Sequence, residues 1–266
     1  MHPRACAITV ALAAVVLSAC TTASPKALPR ATPSPERSPS ARAASRQTGA
    51  NVVDLGRRAP PSFTGGALGV WTKRSRLKVW SNPNDAAPRR SIETKNPAGQ
   101  TIVFLVMAAR RDRLGTGWFK VLLPTRPNGA AGWVKAKPMH LTALNQRIVV
   151  DLSSRSLEYF KNGRLADRLE VAVGKPATPT PTGTFFVWAR VRLGDPAGPY
   201  GAFALGLSGF SPVLSEWPGG GRAAIHGTAD PLDRGRAISH GCVRVFNGDM
   251  GRLEHAPMGT PVIIKR

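Results

Sequence analysis

Acidic side chains and cysteine are scarce in this sequence. Against 37 Lys and Arg there are only 15 Asp and Glu, a formal net charge of +22. That excess favours polyanionic partners: nucleic acid, anionic lipid or anionic wall polymer. Three cysteines in 266 residues exclude a disulfide-built scaffold. The apolar run from Ala5 to Leu17 is too short to span a bilayer comfortably as a mature helix. Turn chemistry is abundant instead. The 27 Gly and 24 Pro argue against a long helical bundle and for short strands joined by turns. The apolar fraction of 42% is enough for a packed core, and the length suits one or two modest domains.

Residues 1–20, MHPRACAITVALAAVVLSAC, have the form of a secretory leader, with Arg4 as the positive start of an apolar stretch. Its end, Leu17-Ser18-Ala19-Cys20, resembles the processing box of bacterial lipoproteins, which implies Cys20 as the lipidated residue. An ordinary leader with a chance cysteine is the alternative. Acyl chains at Cys20 would anchor the protein in the membrane, facing the cell wall. Export argues against a nucleic-acid partner. Residues 21–62 carry Pro25, Pro29, Pro33, Pro35 and Pro39 among Ser, Ala, Thr and Arg, the composition of a disordered, partly extended tether.

The folded part is expected to be mainly β, in two units. In residues 63–142 the segments GVWT, LKVW, TIVFLVM and GWFKVLL are strand-like and separated by turn residues such as Asn82-Pro83-Asn84-Asp85. They predict a small β-barrel. Gly117-Trp118-Phe119-Lys120-Val121 and Ala131-Gly132-Trp133-Val134-Lys135 resemble the bacterial Src-homology-3-like domains. That resemblance implies a module that binds cell-wall polymer; Trp118 and Trp133 as plain core residues is the alternative.

The second unit covers residues 146–266. Strands are predicted at Arg147–Leu152, Ser156–Phe160, Leu169–Gly174, Ala223–His226 and Val262–Lys265, with Asn162-Gly163 as a hairpin turn. Asn247 to His255 is expected to be helical, with Asn247 as its cap. Gly194 to Gly209 is expected to be a glycine-rich loop. Tyr200 within it is a candidate substrate contact on a lid, or else a plain loop tyrosine.

The chemistry lies in Ile225-His226-Gly227-Thr228 and Ser239-His240-Gly241-Cys242-Val243-Arg244. A thiol becomes a strong nucleophile as the thiolate, and a nearby imidazole can take its proton. Gly241 before Cys242 permits close substrate approach and frees backbone N–H groups for a developing oxyanion. His226 ends a strand-like run and can reach the sulfur from another strand. His240 is too near in sequence to converge easily. His226 is therefore the expected base.

HGT…SHGCVRV, with IVVDLSSRSLEYFKNG and VGKPATPTPTGTF upstream, resembles the L,D-transpeptidase (YkuD-like) catalytic domain over residues 146–265. The resemblance implies a β-sandwich with one or two short helices, and Cys242 as nucleophile. It implies His226 as general base then acid, with the Gly227 carbonyl orienting its ring. Gly241 and Cys242 N–H groups would form the oxyanion hole. Ser239, His240, Arg244 and Tyr200 are the implied substrate-side residues, with a structural His240 and a solvated Arg244 as alternatives. The implied reaction attacks a peptidoglycan tetrapeptide stem, releases D-alanine and forms a 3→3 cross-link; carbapenems are the implied inhibitors. No cofactor and no metal are expected. L,D-carboxypeptidation, attachment of a lipoprotein to the wall, and a non-catalytic wall-binding lipoprotein are the other readings. A zinc site of His226, His240 and Cys242 completed by Asp230 or Asp233 is a further one, at a spacing that matches no standard pattern.

Overall fold

The computed structural model describes residues 66–216 and 219–266. The leader of residues 1–20 with its Cys20, and the tether of residues 21–62, lie outside the described residues.

Seven strands come first: β1 (Ala67–Trp71), β2 (Arg76–Val79), β3 (Arg90–Glu93), β4 (Phe104–Arg111), β5 (Gly117–Leu122), β6 (Ala131–Lys135) and β7 (His140–Leu144). Five of them form a barrel-like antiparallel sheet in the order β6-β5-β4-β1-β7, and β2 pairs with β3 as a separate ribbon. Alternation drives the pairing: in β2, Leu77 and Val79 are buried while Arg76 and Lys78 face solvent. Phe104, Leu105, Val121 and Val134 fill the centre. Trp118 is buried and its indole N–H donates to Asp112 Oδ2 at 2.9 Å. Trp133 is half-buried under the Arg110 guanidinium, 4.5 Å from its ring centroid.

The remaining elements are β8 (Gln146–Asp151), β9 (Ser156–Lys161), β10 (Arg164–Glu170), β11 (Val173–Gly174), β12 (Gly183–Arg192), β13 (Phe203–Phe210), β14 (Arg222–Thr228), β15 (Ala237–Ser239), β16 (Val243–Phe246), α1 (Asn247–Met250) and β17 (Pro261–Lys265). Eight of the strands form one sheet in the order β10-β9-β8-β17-β12-β13-β14-β16. Parallel pairs join β8 to β17 and β14 to β16, and β11 pairs with β15 beside the sheet. The β9–β10 turn takes Asn162 and Gly163 through φ of 51° and 76°, the left-handed geometry that an Asn-Gly hairpin supplies.

Three expectations are corrected. Leu169–Gly174 is two strands, because the Val171 N–H turns aside to the Arg155 carbonyl at 2.9 Å and β11 then follows β15. The helix is four residues long, followed by a 3₁₀ turn at Gly251–Leu253, and its cap is Phe246. The Asn247 amide instead donates to the Pro196 carbonyl at 2.7 Å. The glycine-rich stretch includes β13, which lies inside the sheet. Its glycines make room for neighbours: a Cβ on Gly209 would fall 2.3 Å from the Phe185 ring.

The two sheets share packing. Phe186 of β12 belongs to the core of the first sheet, its ring 6.4 Å from that of Phe104 in an edge contact. Asn96 and Gln100 donate side-chain amides to the carbonyls of Trp188 and Arg190 at 2.9 and 2.7 Å.

Candidate active site

Pairing of β14 with β16 decides where the two reactive groups lie. The register sets Ile225 opposite Val243 and His226 opposite Arg244. Cys242, one residue before β16, therefore enters beside Ala224. Ala223 and Ile225 face the core, so period-2 alternation gives Arg222, Ala224 and His226 the opposite face.

The turn carrying Cys242 is held by Ser239, which is buried. The Ser239 hydroxyl donates to the Cys242 carbonyl and accepts the Gly241 N–H at 3.1 Å. The Gly241 N–H, an expected oxyanion donor, is thus engaged inside the turn. What Gly241 supplies is a φ of 113°, a conformation that L side chains rarely adopt. The Thr-Pro-Thr-Pro-Thr loop braces the turn: the Lys175 N–H and the Thr178 hydroxyl both donate to the Ser239 carbonyl at 3.0 Å. Gly174 enters that loop where a Cβ would fall 2.3 Å from the Thr178 carbonyl oxygen.

His226 is 3% exposed. Its Nδ1 lies 2.8 Å from the Gly227 carbonyl oxygen. A carbonyl only accepts, so Nδ1 carries the proton and Nε2 keeps its lone pair for another donor. Tyr200 packs edge-on against the imidazole, with centroids 5.1 Å apart and planes at 73°. Burial pushes the His226 pKa down to about 4; the Gly227 hydrogen bond opposes this, the Arg244 charge adds to it, and Asp233 opposes it. Burial likewise pushes the Cys242 thiol up, against the Ala224 backbone hydrogen bond and the Arg244 charge. The resting pair is therefore a neutral thiol beside a neutral imidazole.

That burial has a consequence for acid stability. The unfolded chain protonates this histidine near 6.5, whereas the folded chain resists until about 4. Between those values the unfolded state binds more protons, so stability falls as pH falls through the window, by about 3 kcal/mol in all. Denaturant titrations at pH 7 and pH 4 measure it, and His226→Gln is expected to remove most of the difference. An undiminished difference in that variant would assign the acid sensitivity to other groups.

Cys242 and His226 share a cleft with Tyr200, Ser239, His240, Gly241 and Arg244. Gly227 stands behind the imidazole. His240 is exposed, in contrast to His226. Asp233, weighed in the sequence only as a metal ligand, is buried and accepts from the Thr228 hydroxyl at 2.8 Å and from Arg244 Nη1 at 3.2 Å. Asp230 instead caps the 3₁₀ turn at Pro231–Asp233, accepting the Leu232 N–H. Among the described residues no three His, Cys, Asp or Glu side chains are grouped to hold a metal ion. The wall formed by Ser211, Leu214, Gly221 and Arg222 was missed by sequence reasoning. A signal for it exists: Gly219, Gly220 and Gly221, all at positive φ, lead directly into the strand that carries His226.

A family model described as the L,D-transpeptidase catalytic domain, YkuD, matches residues 145–264. The putative L,D-transpeptidase YkuD of Bacillus subtilis is 34% identical over 152 residues, covering 54% of this chain and 85% of that protein. An L,D-transpeptidase of Enterococcus faecium, solved as a cysteine-to-serine mutant, is 26% identical with a TM-score of 0.35. The match covers 46% of this chain and 53% of that one, so this chain spans about half the length of the enterococcal protein. The E. faecium catalytic domain solved as its ertapenem-acylated form is 28% identical with a TM-score of 0.34, covering 45% of this chain and 96% of that one.

Proposed function

Because the chain belongs to the YkuD family of L,D-transpeptidase catalytic domains, we propose that it cross-links peptidoglycan by cysteine acyl transfer. The observation that carries this is the pairing in one cleft of Cys242 with a buried His226 whose Nδ1–H is committed to Gly227. Nε2 of His226 removes the thiol proton as Sγ attacks the carbonyl between meso-diaminopimelate and D-alanine of a tetrapeptide stem. The Cys242 N–H meets the oxyanion. The C–N bond breaks, the imidazolium returns its proton to the departing D-alanine amine, and a thioester remains. An amine of a neighbouring stem attacks the thioester, gives a proton to His226 and displaces the thiolate, which is reprotonated. The product is a 3→3 cross-link.

In this reading His240 and Arg244 contact the donor stem, and Tyr200 covers the imidazole. Cys242 is also the group that a carbapenem would acylate. The leader and its Cys20 support export and membrane anchoring, and the positive charge suits anionic wall polymers, with residues 63–142 as a Src-homology-3-like wall-binding module.

Incubation with a disaccharide-tetrapeptide, followed by mass spectrometry, tests the reading. A dimer lighter by one D-alanine is expected, and it should vanish in Cys242→Ala. Tripeptide without dimer would make the enzyme an L,D-carboxypeptidase. No change in the stem would overturn the proposal.

A further inference from the structure

One wall of the cleft is held by the first sheet's unit rather than by the sheet that carries Cys242. Arg126, in the β5–β6 connection, donates Nη1 to the Ser211 carbonyl at 2.9 Å, and Nη2 to the carbonyls of Leu214 and Gly220 at 3.2 and 3.0 Å. Asn128, two residues on, donates to the Phe210 carbonyl at 2.7 Å and accepts the Phe210 N–H at 2.9 Å. The Phe210 ring lies near two guanidiniums, with Arg126 4.8 Å and Arg222 4.3 Å from its centroid. Arg222 in turn donates to the Pro124 carbonyl at 3.4 Å. The base of the wall is closed by the Ser211 N–H on the Gly221 carbonyl at 2.7 Å. It leaves no slack, since a Cβ on Gly221 would fall 1.6 Å from the Leu214 carbonyl oxygen.

We infer that Arg126 is a positioning residue of the enzyme, setting the Ser211–Leu214–Gly221 wall against which the stem peptide is laid; this rests on the transpeptidase reading above. The physical case is geometric. A guanidinium has five N–H donors in a planar fork and loses no proton under working conditions. Three carbonyls converging on it are fixed in relative position, and charge-assisted bonds of this kind are about twice as strong as neutral ones. The three hydrogen bonds of Arg126 go to Ser211, Leu214 and Gly220, and none of the three goes to Cys242 or His226. Arg126 therefore governs where the substrate lies and leaves the reactivity of the thiol alone.

The test compares full-length wild type, Arg126→Ala and Arg126→Lys. Arg126→Ala is expected to raise KM for the tetrapeptide stem and lower kcat/KM by roughly 10- to 100-fold, the usual effect of misplacing a bound substrate by about an ångström. The rate and pH profile of Cys242 alkylation by iodoacetamide should not change. Arg126→Lys keeps the charge but reaches fewer carbonyls, and should recover part of the loss. Hydrogen exchange is the readout independent of turnover: the Ser211 amide should exchange faster in Arg126→Ala. If wild type turns over and Arg126→Ala matches it in KM and kcat, the inference is overturned. It is equally overturned if alkylation falls in step with turnover, since Arg126 would then act on the whole domain. Absence of turnover in wild type, with faster Ser211 exchange in the variant, would sink the transpeptidase reading and leave the clamp itself standing.

Discussion

His226→Ala is expected to lower acyl transfer by roughly two to four orders of magnitude, the usual contribution of a positioned acid–base group. The structure gives the reason in three parts. The ring is nearly sealed from water, its Nδ1 is tied to the Gly227 carbonyl, and its pKa sits at about 4. It is therefore an unprotonated base throughout the neutral range. The thiol is held above its ordinary value by burial, so little thiolate exists at rest and the proton must leave as the carbonyl is attacked. Without the imidazole, alkylation of Cys242 at pH 7 should slow, and its rate should climb only through a thiol titration above about 8.5. His240→Ala should leave the alkylation profile in place, because that side chain is exposed at the cleft edge. Measuring alkylation rate against pH for the three proteins separates the roles. A wild-type profile in His226→Ala with a lost one in His240→Ala would exchange them.

Asp233→Ala is expected to have the largest effect on stability. The carboxylate is buried and serves both the Thr228 hydroxyl at the end of the His226 strand and the Arg244 guanidinium on the Cys242 strand. Removing it strands a largely buried arginine whose Nε already has no partner. Breaking such a pair on one side costs about 3 kcal/mol, which for a chain of this size lowers Tm by roughly 6 to 12 °C. Asp233→Asn keeps the shape and one acceptor, and should lose less. Thermal unfolding of both variants decides it; a Tm within about 1 °C of wild type for Asp233→Ala would show that the pair contributes nothing net, as exposed pairs often do.

What was legible in the sequence followed from rarity and from period. Cys242 and His226 stood out because thiols and imidazoles are few in this chain and carry a narrow chemistry. Strands such as β2 and β5 stood out through apolar alternation and flanking turn residues. β13 did not, because glycines placed beside Phe185 and Ala189 for lack of space look locally like a loop. Nor did the far half of β4, Ala108-Ala109-Arg110-Arg111, whose small and charged residues owe their extended form to pairing with β5. Asn247 looked like a cap, yet its amide is drawn off by Pro196, 51 positions away in sequence. The pairing of Asp233 with Thr228 and Arg244, and the role of Arg126, were invisible for the same reason. One ordinary acid and one ordinary arginine acquire meaning from the carbonyls, hydroxyl and guanidinium that distant segments bring to them, and no local pattern records those partners.

The position of β17 bears on how the protein is made. The strand at residues 261–265 lies between β8 and β12, parallel to one and antiparallel to the other, and sends Val262 and Ile264 into the core. During synthesis every other strand of the eight emerges before it. Until it does, β8 and β12 lack their shared neighbour, each offers a row of unpaired amides and carbonyls, and two core positions are empty. A nascent chain halted a few residues short of Lys265 is thus split down its middle rather than frayed at an edge. Maturation of the sheet therefore waits on one late event, the emergence of residues 261–265, and a chain stopped before them leaves material for proteases and chaperones instead of a weakened protein.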